Sequence, residues 1–271
     1  MNALAKNCLM NKEAFAIKER DMVKPNGYVI YDGPSLLDGK PIVVIAITKS
    51  SNTKTGNEVQ TIIMRSDIDP ITASRMGEDF TICGNCIHRG RPHDGDSGGA
   101  KERSCYVMLL MVLSVFKAYK KGLYPSVVSK QESITDVGRR RVVRLGSYGD
   151  PAVVPSETWD TLLLEADGHT GYSHQSGMPS VDYRPDLTMT SVDTLEQAEE
   201  AWGRGERTFR VTYASRPHVV KGKEISCPAS EEAGRRTTCE DCLLCSGNNI
   251  NAKSIVIMAH GAGKKHYALH K

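Results

Sequence analysis

The chain has 271 residues, 39% hydrophobic and 25% charged, with a net charge of +3. That composition excludes a disordered or collagen-like chain and fits a globular protein of one large α/β domain or two small ones. No apolar run approaches the ~20 residues needed to cross a bilayer; the longest, Tyr106 to Phe116, has eleven. The first twenty residues lack a continuous apolar core and a small-residue cleavage site, so the cytoplasm is the expected compartment and the thiols are expected to stay reduced.

In chain order, residues 1–79 read as an N-terminal extension ending in a β-hairpin. Pro25-Asn26-Gly27 is a turn signal, and the β-branched runs PIVVIAIT and EVQTIIMRS flank a polar loop. Asp69-Pro70 starts a short helix. A loop rich in Gly, Pro, Asp and Ser follows from Gly84 to Arg103, and Val107 to Lys121 reads as a largely buried helix stopped by Gly122. After Arg139-Arg140-Arg141 come the strand VVRLGSY, a Gly149-Asp150-Pro151 turn and a helix from Ser156. The short strands GYSHQ, LTMTSV, TFRVTY and SIVIMAHG then follow, with a helix near Asp193. Strands alternating with helices imply parallel pairing, hence a βα barrel or an open doubly wound sheet over residues 80–271.

The eight cysteines carry the chemistry. Cys8 stands alone and reads as an ordinary buried thiol. Cys227-Pro228 is followed after eleven residues by Cys239-Glu-Asp-Cys242-Leu-Leu-Cys245. Four thiolates so spaced have the ingredients of a ferredoxin-type cubane site, with four-cysteine zinc as the competitor. Cys83-Gly-Asn-Cys86 and, after eighteen residues, Cys105 supply three more thiols. Either His88, His93 or Asp94 completes a zinc site there, or three thiolates hold an iron–sulfur cluster and leave one iron open.

Cys105-Tyr106 opening a helix, and a strand ending in Gly149-Asp150-Pro151 before another helix, resemble the first third of a radical-SAM barrel. The resemblance implies a partial (β/α) barrel with a C-terminal four-cysteine insertion, and one or two iron–sulfur clusters held by Cys83, Cys86, Cys105, Cys227, Cys239, Cys242 and Cys245. It also implies an S-adenosylmethionine site near Tyr106, Gly149, Asp150, Ser173 and His174, and an enzyme acting on a small-molecule or macromolecular substrate. The same pattern resembles proteins encoded by phages and prophages, which would place the chain in a host cytoplasm. The three-cysteine loop departs from the C-x3-C-x2-C of that superfamily. In a parallel barrel the loops after the strands gather at one face, so Cys83, Cys86, Cys105, Gly149, Asp150, Ser173, His174, Asp193 and His260 are expected to converge.

The alternative is a zinc-stabilised, non-enzymatic protein that binds nucleic acid or a host protein. Basic clusters at Lys120-Lys121, Arg139 to Arg141, Arg235-Arg236 and Lys264-Lys265, with no Asp or Glu after Asp241, suit phosphates. Aromatics are 6% and not interleaved with them, which argues against a stacking platform for single strands.

Overall fold

The computed structural model describes residues 25–49, 56–213, 218–234, 236–247, 249 and 251–268. Cys8, Arg235 and the first 24 residues of the expected extension lie outside them. The chain forms a mixed α/β structure on one nine-stranded sheet.

The apolar runs of the expected hairpin pair antiparallel as β2 (Pro41–Ile47) and β3 (Val59–Arg65). A further strand, β1 (Gly27–Pro34), pairs antiparallel with β2. Its register shifts between Val29 and Tyr31, a bulge that breaks the two-residue alternation by which sequence reveals a strand. Helices α1 (Pro70–Met76), α2 (Phe80–Cys83), α3 (Leu109–Lys120) and α4 (Gln131–Gly138) follow before β4 (Val142–Tyr148). Asp69 caps α1 by accepting from the Ile71 and Thr72 amides.

From β3 on, every pairing is parallel. The strands are β5 (Gly168–Ser173), β6 (Met189–Val192), β7 (Thr208–Thr212), β8 (Glu224–Ser226) and β9 (Ser254–Met258), in spatial order β1-β2-β3-β4-β5-β6-β7-β9-β8. Through β7 each strand lies beside its predecessor, without the reversal of order that marks a doubly wound sheet. Helices α5 (Ser156–Leu163) and α6 (Leu195–Gly203) are the crossovers, α6 beginning at a capping box of Thr194 and Gln197. The short α7 (Cys239–Cys242) and α8 (Lys264–Tyr267) complete the chain.

The main core joins the hairpin to the parallel part: Ile30, Val44, Ile45 and Ile63 pack in one cluster with Val143, Leu145, Trp159 and Leu162. Helix α3 is not the buried helix its sequence suggests. Val112 and Phe116 are buried, but Leu110 is 70% and Met111 60% exposed. Its apolar residues occur on every side, so burial of one stripe leaves the others in water. Among the described residues no helix is long and apolar enough to cross a membrane.

Candidate metal-binding cavity

Parallel pairing puts the carboxyl ends of β4, β5, β6 and β9 on one edge, and a cavity of ≈240 Å³ opens there and runs along the inner face. Strand residues line it: Arg144, Gly146, Ser147 and Tyr148 of β4, Thr170 and Tyr172 of β5, Ser191 of β6, Phe209 and Val211 of β7, Ile255 and Ile257 of β9. Cys83, Cys86, Cys105, Cys227, Cys239, Cys242 and Cys245 all reach the same cavity. None is in a disulfide.

The first three thiols are placed by a braced loop. Helix α2 ends at Cys83, whose carbonyl accepts from the Cys86 amide at 3.2 Å and from Gln175 Nε2 at 2.9 Å. Arg89 folds back onto the Asp79 carboxylate and the Gly77 and Gly84 carbonyls, holding the loop shut. Cys105 is brought in by its amide, which donates to the His88 carbonyl at 3.1 Å. Burial pushes the Cys83 thiol well up, Cys86 up to about 12 and Cys105 up. Tyr148 lies beside Cys83 and Cys105, its hydroxyl buried with no hydrogen-bond partner among the described residues.

The second group is set by two local devices. Thr238 caps α7, whose single turn puts Cys239 and Cys242 on one side, and Leu243 in the left-handed region turns the chain toward Cys245. Arg207 of the β6–β7 connection is buried and donates to four carbonyls of the following loop, Leu244 and Ser246 at 2.7 Å, Lys253 at 2.8 Å and Ala252 at 3.0 Å. Gly247 is required because a Cβ there would lie 2.2 Å from the Pro185 carbonyl oxygen. The Cys245 carbonyl accepts from the Gly171 amide in β5, and Cys227, directly after β8, donates to Val256 in β9. Burial pushes Cys245 up to about 12.

Arg144 and its two tyrosines stand between the groups. Its guanidinium donates to Tyr106 Oη at 3.1 Å and lies 5.2 Å from the Tyr172 ring centre. Burial works against its charge, but Tyr106, Tyr172, Glu58 and Cys239 outweigh it and push the guanidinium pKa up. Tyr172 hydrogen-bonds Cys245. Arg144 lies beside Cys239 and Cys245 of the second group, and Tyr148 beside Cys83 and Cys105 of the first.

The expected convergence at the strand ends is observed for Gly149, Asp150, His174 and His260, all of which line the cavity. Asp150, however, is engaged by its own chain: Oδ1 accepts from the Ala152 amide, and Oδ2 from the His174 amide and Gln175 Nε2. Ser173 hydrogen-bonds the same carboxyl group, and its Oγ accepts from the Gln175 amide. These bonds tie the end of β4 to the end of β5. Gly149 has φ +79°, and a Cβ there would lie 2.7 Å from Ile63. Tyr106 packs on His260 at 5.5 Å, and the His260 ring bonds the Met258 carbonyl.

Of the three candidates to complete the first group, His88 alone lines the cavity. His93 bonds the Gly99 carbonyl and the Gly95 amide instead, and Asp94 is exposed. His88 is held by Ser104 Oγ on Nδ1 and Asp193 Oδ1 on Nε2, each at 2.7 Å. The Asp193 partnership, 105 residues away, has no local sequence signal. In one of the basic clusters, Arg139 pairs with Asp136 and Glu165, and Arg141 donates to the Thr48 and Asn57 carbonyls. No family model, curated protein or solved structure matches this chain.

Proposed function

We propose that the chain is an iron–sulfur protein with a radical-SAM-like partial barrel and two centres in one cavity. The observation that carries this reading is that seven thiols, from stretches as far apart as Cys83 and Cys245, line a single cavity at the inner face of a parallel sheet. Cys83, Cys86 and Cys105 would hold a centre with one iron open to a small ligand, and Cys227, Cys239, Cys242 and Cys245 a closed one. The unreversed order of the parallel strands from β3 through β7 supports a barrel segment over a doubly wound sheet.

Spacing favours clusters over zinc. Tetrahedral zinc with Zn–S of about 2.3 Å draws its sulfurs to about 3.8 Å from one another. Among the described residues the one set of three His, Cys, Asp or Glu donors mutually within 4.8 Å contains no cysteine. A cubane binds each thiolate to a different iron and so holds the sulfurs farther apart. The partnerless Tyr148 hydroxyl fits as a donor to sulfur, and the Arg144 guanidinium offsets negative charge on thiolates and sulfide.

Cys83, Cys86 and Cys105 would hold a cluster that, once reduced by an external donor, would supply one electron to a ligand such as S-adenosylmethionine. The chain's own part is to orient that ligand between Tyr106 and the Gly149 backbone, and to keep water away with Tyr148, Val211 and Ile257. Anaerobic purification tests the reading. A brown protein absorbing near 400 nm with about eight iron and eight sulfide per chain is expected for two cubanes. Reduction with S-adenosylmethionine is expected to yield 5′-deoxyadenosine. A colourless protein with about two zinc ions per chain would overturn the assignment.

A further inference from the structure

We infer that His88, His174 and Asp193 form a separate site for one divalent first-row transition-metal ion, at the strand-end mouth of the cavity and without any thiol. The three ligand atoms lie mutually within 4.8 Å. They come from three elements: the turn after Cys86, the first residue after β5 and the first residue after β6. His174 Nε2 is buried and has no hydrogen-bond partner among the described residues, although its ring meets that of His88 edge-on at 5.6 Å. A buried imidazole nitrogen without a partner is costly unless something binds it.

The surroundings are those that orient metal ligands. Ser104 Oγ holds His88 Nδ1 at 2.7 Å, and Tyr267 stacks on the His88 ring at 5.0 Å. The Tyr267 hydroxyl donates to Asp193 Oδ1 at 2.9 Å, and Asp150 fixes the His174 amide at 2.8 Å. Such outer partners set imidazole orientation and keep a carboxylate aimed at the ion. Two imidazoles and one carboxylate with the cavity on the remaining side leave positions for an exogenous ligand, the donor pattern of two-histidine-one-carboxylate iron and of catalytic zinc. Calcium and magnesium, which prefer oxygen alone, fit poorly. Binding requires His88 Nε2 and Asp193 Oδ1, 2.7 Å apart, to separate by about half an ångström so that each reaches an ion at about 2.0–2.2 Å.

The test uses Mn²⁺, which thiolates do not favour, titrated into the full chain as purified anaerobically and followed by electron paramagnetic resonance. One tight Mn²⁺ per chain is expected, with pulsed spectra showing coupling to imidazole nitrogen. His174→Ala and Asp193→Asn are each expected to weaken uptake by about tenfold or more, and Ser104→Ala by about tenfold. Iron and sulfide are counted in the same samples, so loss of the thiol centres is read separately. Thermal unfolding of each variant separates a lost ligand from a lost fold. Uptake that is unchanged in both His174→Ala and Asp193→Asn, or Mn²⁺ without imidazole coupling, would overturn the site. So would loss of iron from His174→Ala, since His174 would then belong to the thiol centre.

Discussion

The two thiol groups share a cavity but not a setting. Around Cys227, Cys239 and Cys245 the neighbours are mostly apolar, with Met189, Ala229, Leu244, Ile255 and Ile257 in one cluster and Arg144 and Tyr172 as the polar exceptions, and Cys227 and Cys245 are themselves buried. Around Cys83, Cys86 and Cys105 stand His88, Ser104, Tyr148, Asp150, His174 and Tyr267. On the proposed reading, the second group, three of whose four thiols sit in apolar packing, would form a closed centre that cross-links the end of β8, the α7 turn and the face of β5. The first group, among titratable and hydroxyl groups, would form a centre with somewhere for a ligand to go. On that reading stability falls to the second group and chemistry to the first.

The strongest way to break that division is Cys245→Ser. If the second centre braces the fold, its loss destabilises the chain by about 5 kcal/mol or more, because binding energy at a structural metal is folding energy; unfolding in denaturant would read this directly. Arg207→Met is next. It leaves four buried loop carbonyls without their donor, and a cost of about 2–5 kcal/mol is expected together with loss of iron from the second centre alone.

Glu58 sharpens the electrostatic side. It is fully buried next to β3, and burial pushes its carboxyl up from 4.5 to about 7, with Arg144 pulling the other way. Between those values the folded chain binds more protons than the unfolded chain. Stability therefore falls as pH rises from about 4.5 to about 7, by about 3 kcal/mol at most. Glu58→Gln is expected to flatten that slope and to be more stable than the native chain at pH 8; an unchanged slope would assign the pH dependence elsewhere.

Cys105→Ala is expected to cost only about 1 kcal/mol while abolishing ligand binding at the first centre. A large stability loss there would erase the distinction between the groups. Smallest of all, Arg139→Ala should change stability by less than about 1 kcal/mol, since its pairs with Asp136 and Glu165 are exposed.

Much of this architecture was legible in the residues. The β-branched runs gave β2, β3, β4, β7 and β9, and alternation with helices gave the parallel pairing. Asp69-Pro70 announced a helix start, the cap expected near Asp193 is the next residue, Thr194, and cysteine spacing marked both thiol groups. What was hidden depends on distance along the chain or on short elements. β8 has three residues, too few for a pattern, and β1 carries a bulge. His88 meets Asp193 only after folding. Asp150 reads as a ligand group by position, yet its oxygens are taken by Ala152, His174 and Gln175. Arg144 interrupts an apolar strand, and a cation placed among residues that will be buried marks a site that needs its charge.

The central claim is that the chain carries two separable inorganic centres, and metal counting in paired variants tests it most directly. Iron and acid-labile sulfide per chain, measured anaerobically, should fall by about half in Cys105→Ala, and by about half from the other centre in folded Arg207→Met, whose spectra should differ. Zinc in place of iron, or a content that neither substitution changes, would contradict the account.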